Sequence, residues 1–439
     1  MYRPWLRICA TAVLVVSSAL YAQTSFPCPA GDLPEGLSCF RGRDQNGSYY
    51  WIAIPKNWNG ILAVHSHGGP NLVAPSYSTI GAELVRWRVV VSEGFAWAGS
   101  SYRHGGYGVR SAAEDTESLR GIFVEAFGAP RLTIMHGQSW GGNIAAKVVE
   151  LYGVNPDGSL NYDGALFTSG VMSGGSRAYY FRLDLRAVYQ FYCQNHPLPD
   201  EPQYPLWMGL PPDSTLTTQE LQRRANDCTG YQLPPEQRSE EQRQNLANIL
   251  SVIRIPERTF YSHLAWGTFQ FRDIVQGLLG GRNPLPNRGV LYNGSTDDRA
   301  LNRGVNRYRS DRHAVRQLSY DSDLSGEVAV PILTMHAIDD PTAFVEHESA
   351  YRETLESAGT SDYLVQFFTD ESEHSVLSIS EYATVLHALV DWVETGKKPD
   401  DDAILSSCEK FSETYQVPCY FHPGYRPEPF ESRVYPRHR

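Results

Sequence analysis

Short apolar runs alternate with amphipathic helical stretches along the N-terminal part of the chain, and this rhythm constrains the fold more than any other feature. Residues 48–54, 61–66, 95–101, 131–136 and 165–169 read as strands. Between them, Leu119, Ile122, Phe123 and Phe127 fall at helical spacing in a stretch over residues 113–127 that stops at Gly128, and a second helix runs from near Trp140 to Tyr152. Strands that are apolar on both sides need cover on both faces, which predicts a mostly parallel sheet with helices packed above and below it. The rhythm breaks over residues 177–325, which are rich in Pro, aromatic and polar residues and hold helical stretches such as 237–253. It resumes with strands at 332–336 and 363–368 and helices at 344–357 and 381–395. Because the late strands are needed to complete the sheet, the expected organisation is one α/β core built from residues 23–176 and 326–400. A large, mainly helical cap is inserted over 177–325, and residues 401–439 form a C-terminal extension.

The N-terminus has a different character. Arg3 and Arg7 precede an apolar run over residues 8–20, followed by Tyr21-Ala22-Gln23. A charged start, an apolar stretch short for a bilayer and a small residue at the end make residues 1–22 a signal peptide, with an uncleaved membrane anchor as the alternative. Export, to the exterior or a periplasm, is therefore expected. Cleavage would remove Cys9 and leave six cysteines, Cys28, Cys39, Cys193, Cys228, Cys408 and Cys419. An even number in an oxidising compartment suggests disulfides, and the local pairing joins Cys28 to Cys39, Cys193 to Cys228 and Cys408 to Cys419. None has a metal-ligand spacing, and no cofactor is implied. The formal charge of −11 is diffuse, which argues against a nucleic-acid partner, since phosphate binding needs clustered Lys and Arg. The remaining partner is a small-molecule or peptide substrate, with no membrane contact after removal of the signal peptide.

Chemistry enters at Gly137-Gln138-Ser139-Trp140-Gly141, a G-x-S-x-G pattern placed between an apolar strand and a helix. A sharp strand-to-helix turn would present the Ser139 hydroxyl, and glycines flank it because side chains there would collide with the adjoining elements. An earlier strand ends in His67-Gly68-Gly69-Pro70, where the Gly68 and Gly69 N–H groups, with that of Trp140, could stabilise an oxyanion. Asp339 and Asp340 follow the strand 332–336, and either could serve as an acid or merely cap the next helix. His374 lies between the last strand and the last helix, where a loop can reach the turn that carries Ser139. The chain order Ser, Asp, His is the order used by α/β-hydrolases.

On these motifs the chain resembles the α/β-hydrolase superfamily over about residues 61–181 and 330–395. The resemblance implies an acid three residues after the small residue that ends its strand, and Ala337 then selects Asp340. Asn57-Trp58-Asn59-Gly60, Ser100-Ser101-Tyr102 and Glu114-Asp115-Thr116 resemble secreted bacterial hydrolases. Tyr102, just after a core strand, is by its position a candidate for the pocket rim. His67-Gly68-Gly69-Pro70 with Ser139-Trp140-Gly141 is also similar to proline iminopeptidases and prolyl-oligopeptidase-like enzymes. Where iminopeptidases carry an Asp-x-Arg-Gly segment, however, this chain has Ser100-Ser101-Tyr102-Arg103-His104. An aminopeptidase would also need a cap carboxylate, for which Glu201, Glu220 and Asp273 are candidates. The expected activity is a secreted serine hydrolase cleaving carboxylic esters. The alternatives are a peptidase with the same three residues and a non-catalytic binding module on this fold. Cap aromatics such as Tyr179, Phe181, Trp207 and Trp266 either line a substrate cleft or form the cap's own core.

Overall fold

The apolar runs become the inner strands of one eight-stranded sheet in the computed structural model, which describes residues 24–437. The strands are β1 (Ser38–Arg43), β2 (Tyr49–Ile54), β3 (Ile61–Ser66), β4 (Ala96–Ser100), β5 (Leu132–Gln138), β6 (Gly164–Thr168), β7 (Ile332–Ala337) and β8 (Leu364–Thr369). Their order across the sheet is β1-β2-β4-β3-β5-β6-β7-β8. β2 is antiparallel to both neighbours, and every pair from β4 to β8 is parallel. Strands β3, β4, β6 and β7 are buried along their whole length, as continuous apolar runs require when helices cover both faces.

Alternate side chains of one strand enter two separate cores. Leu62 and Val64 of β3 point into the core shared with the helices Val109–Phe127 and Trp140–Tyr152, whereas Ile61 and Ala63 point into the core shared with Tyr77–Arg86 and Ile379–Thr395. Between β6 and β7 the chain forms helices and loops, including Tyr180–Cys193, Thr218–Thr229, Glu240–Ile253, Phe260–Arg272 and Arg312–Ser322. Their apolar residues, among them Tyr189, Phe260 and Leu264, are continuous with the first of the two cores. The insertion thus packs onto the sheet's own helices instead of enclosing a separate centre.

The strand registers bring distant segments together. Ser66 pairs with Gly137, which sets the glycine turn after β3 beside the turn after β5. Ala337 pairs with Thr369, so the loops after β7 and β8 leave the sheet side by side. Three disulfides, Cys28–Cys39, Cys193–Cys228 and Cys408–Cys419, match the local pairing expected from the sequence.

Several elements depart from the sequence reading. The segment before residue 48, where the sequence reading places no strand, contains β1, which pairs antiparallel with β2 along its length. The helix Tyr77–Arg86 was not anticipated, and the C-terminal extension holds a helix, Asp401–Tyr415, packed on Ile379–Thr395. The signal-peptide segment 1–22 and Cys9 lie outside the described residues. Among the described residues no helix is long and apolar enough to cross a membrane.

Candidate active site

Ser139 sits between β5 and the helix Trp140–Tyr152 with φ 57° and ψ −126°. A non-glycine residue at positive φ stores roughly 1–3 kcal/mol of strain and persists only where its surroundings fix it. Here the fixing bonds are Ser139 N–H to the Thr168 carbonyl (3.0 Å), and Val171 N–H and Gly142 N–H to the Ser139 carbonyl (3.0 and 2.9 Å). The flanking glycines are required by space. A Cβ on Gly141 would overlap the Ser66 and His67 carbonyls, and one on Gly137 would overlap the Gly141 carbonyl.

His374 reaches this turn from the loop after β8. Its Nε2 lies 2.8 Å from Ser139 Oγ, and its Nδ1 lies 2.8 Å from Asp340 Oδ2. The carboxylate can only accept, so Nδ1 carries the proton and Nε2 is left free to accept from the hydroxyl. Asp340 is buried, and its other oxygen accepts from the Thr342 and Ala343 N–H groups at 2.8 and 2.9 Å. Burial alone would raise this carboxyl. The facing imidazoles of His374 and His336 outweigh that effect and hold it well below the usual carboxylate range. Asp339, the other candidate acid, is exposed, and the imidazole meets Asp340 instead.

Behind Asp340 lies a buried arrangement that the sequence reading missed. His336 Nε2 donates to the Ala343 carbonyl at 2.7 Å and sits 3.4 Å from Asp340 Oδ2, while Nδ1 is 3.1 Å from Glu348 Oε1. Glu348 Oε2 accepts from Thr334 Oγ1 and Gln366 Nε2, each at 2.7 Å. Desolvation disfavours a charged imidazole, but the two carboxylates overcome it and push His336 up to about 10. The loop carrying His374 is tied down in turn. Gln138 Nε2 donates to Ser375 Oγ (2.6 Å), and Arg86 Nη2 donates to the Ser375 carbonyl (2.8 Å).

The glycine turn completes the site. Gly68 and Gly69 line the same cavity as Ser139 and His374. Among the described residues no acceptor takes the N–H of Gly68, Gly69 or Trp140. Tyr102 does not reach this cavity. It is only 4% exposed, stacks on the His67 ring at 4.1 Å and donates its hydroxyl to the His67 carbonyl at 3.0 Å, so it supports the glycine turn from beneath. The cavity measures about 280 Å³, and the insertion contributes Tyr179, Arg182 and Trp266 to its wall. Phe181 is buried in the core, and Trp207 packs partly buried against it. Of the cap acids considered for binding an ammonium group, Glu201 and Glu220 pair with Arg224, and Asp273 accepts from the Tyr107 N–H at 2.6 Å; none lines this cavity. No group of three or more His, Cys, Asp and Glu side chains among the described residues is arranged to hold a metal ion.

The sheet order, its antiparallel second strand, the strained serine turn after β5 and the sequence order of serine, acid and histidine together define the α/β-hydrolase fold. No family model matches the chain. In sequence it is 28% identical over 145 residues to an o-phthalyl amidase from Xanthobacter agilis, a stretch covering 32% of this chain and 28% of that protein's length. Among solved structures, feruloyl esterase B from Aspergillus oryzae aligns over 86% of this chain and 87% of its own, with TM-score 0.40 and 14% identity. An acylaminoacyl peptidase from Pyrococcus horikoshii aligns over 84% of this chain and 43% of its own, with TM-score 0.39 and 11% identity.

Proposed function

We propose that the protein is a serine hydrolase that cleaves carboxylic esters through an acyl-enzyme on Ser139. The observation that carries this reading is the continuous line of hydrogen bonds from Ser139 Oγ through His374 to Asp340, both links 2.8 Å long. In the first step Ser139 Oγ bonds to the ester carbonyl carbon as its proton passes to His374 Nε2, and the carbonyl oxygen becomes an oxyanion. The free N–H groups of Trp140 and the Gly68–Gly69 turn are the donors suited to it. The C–O bond to the alcohol then breaks, and the proton on His374 goes to the leaving oxygen. Water repeats the cycle: His374 takes its proton, its oxygen bonds to the acyl carbon, and the Ser139–acyl bond breaks to return the hydroxyl and release the acid. Asp340 keeps Nδ1 protonated and stabilises the imidazolium that forms.

An amide bond in place of the ester is the second reading, favoured by the partial likeness to an amidase. Cleavage of peptides with a free amino terminus is disfavoured, because the insertion lines the cavity with Arg182 and with none of its candidate acids. We also propose that the protein works outside the cytoplasm, with the three disulfides as support. The test is p-nitrophenyl acetate turnover. Ser139→Ala is expected to lose at least about a thousandfold in kcat, and a variant as fast as the parent would exclude the acyl-enzyme.

A further inference from the structure

Among the described residues, each charged side chain around the cavity but one is answered by a neighbour. Asp340 has its imidazoles and two N–H donors, Glu83 has His65 at 3.3 Å and Arg86 at 3.9 Å, and Arg86 donates to the Ser375 carbonyl. Arg182 is the exception. It lies in the first turn of Tyr180–Cys193, is 6% exposed and lines the cavity with Ser139. Among the described residues its guanidinium has no carboxylate partner, and its buried Nε has no acceptor. Its surroundings are ring faces: Trp266 at 4.3 Å, Phe181 at 4.6 Å and Tyr179 at 5.4 Å from the guanidinium carbon to the ring centroids. Burial lowers its pKa to about 10, which still leaves a cation at neutral pH.

Ring faces attract a cation, but they do not accept the directional hydrogen bonds that a planar fork of N–H groups can make. A buried arginine is normally paired, because an unanswered charge in low dielectric is costly. The same low dielectric strengthens the attraction for an anion that enters the cavity, and a carboxylate matches the fork with two parallel bonds. Arg182 lines the same cavity as Ser139, so an acceptor for its guanidinium can arrive with a substrate.

We infer that Arg182 is a specificity-determining residue that binds a carboxylate on the substrate, so that the preferred substrates are esters of dicarboxylic acids with one free acid group, or esters whose alcohol half carries a carboxylate. This inference rests on the acyl-enzyme reading above and narrows it to anionic substrates. Tyr179, Trp266 and Val171 give the cavity the apolar wall that the rest of such a substrate would cover.

The test compares kcat/KM within matched pairs on the intact protein. The mono-p-nitrophenyl esters of adipic and terephthalic acid are set against p-nitrophenyl hexanoate and p-nitrophenyl para-methylbenzoate, placing the carboxylate on the acyl half. The para-carboxyphenyl ester of hexanoic acid against the para-methylphenyl ester places it on the alcohol half. In at least one pair the carboxylate ester is expected to be preferred by about tenfold or more, and the pair identifies which half Arg182 holds. Arg182→Met is expected to bring that ratio close to one, and Arg182→Lys to retain part of it. A measurement that needs no variant runs alongside: adipate and terephthalate should inhibit neutral-ester turnover competitively, and terephthalamide should not. Equal rates within every pair, or a preference that survives in Arg182→Met, would overturn the inference. Its failure is separable from that of the parent reading, because an active Ser139→Ala removes the acyl-enzyme, whereas an inactive Ser139→Ala with no carboxylate preference removes only the role of Arg182.

Discussion

Asp340 has two duties in this geometry: it orients His374, and it stays ionised while buried. Asp340→Asn keeps the shape but can offer an N–H to Nδ1, which would force the imidazole proton onto Nε2, where it faces the serine. The variant is expected to fold and to lose about a thousandfold or more in kcat, as read from single-substrate kinetics and circular dichroism. His336 contributes to stability in a pH-dependent way. Its pKa is raised from 6.5 to about 10 by Asp340 and Glu348, so its contribution is complete below pH 6.5 and is lost as pH rises through about 10. Urea melts should show the parent losing stability over that window more steeply than His336→Gln, with the variant less stable by about 3 kcal/mol at neutral pH. A parallel pair of pH profiles would mean that His336 is not charged. That Ser139, Asp340 and His374 would meet was legible, because chain order and position at strand ends bring such groups to one edge of the sheet. The roles of His336 and Arg182 were not, since each is defined by the partners it meets or lacks, and those come from segments far away in sequence. Tyr102 shows the opposite limit. Its place after a core strand suggested the rim, but a φ of +59° and the bond to the His67 carbonyl turn it inward.

The strand-to-helix turn at Ser139 depends on absent side chains. Gly141→Ala would drive a methyl group into the Ser66 and His67 carbonyls, which belong to β3 and the glycine turn and cannot move independently. A loss of about 2–3 kcal/mol is expected, with activity falling further than stability because the displaced turn carries the N–H groups proposed to bind the oxyanion; a thermal melt and a kcat measurement on one preparation separate the two effects. The inner strands could be read from the sequence because burial on both faces leaves an uninterrupted apolar run. Edge strand β1 could not. Only Cys39 of its residues is buried, and the segment is punctuated by turns on both sides, so its identity comes from pairing with β2. The helix Tyr77–Arg86 was obscured in the same way, as only Ile80, Gly81 and Leu84 of its residues are buried and Ser76 supplies its cap through a side-chain bond.

The insertion between β6 and β7 shares the apolar core of the sheet, so the wall of the cavity beside Ser139 is only as firm as the helices that supply it. The Cys193–Cys228 disulfide joins the ends of two of those helices across a separation of 35 residues. Closing such a loop restricts the unfolded chain by about 3–4 kcal/mol. The Cys193→Ser, Cys228→Ser double variant is expected to be less stable by about that amount in guanidinium titrations, and unchanged stability would mean that the bridge is dispensable. The sequence announced the insertion by losing its strand rhythm but concealed its path, because helices that bury apolar faces against another layer look the same whichever layer they meet. The most direct measurement is labelling with a fluorophosphonate followed by mass-spectrometric peptide mapping. One adduct per chain is expected, on the peptide containing Ser139, with hydrolysis lost in proportion to labelling and the adduct greatly reduced in His374→Ala. Full ester turnover with Ser139 unlabelled, or an inactivating adduct on a different residue, would contradict a serine nucleophile at this turn.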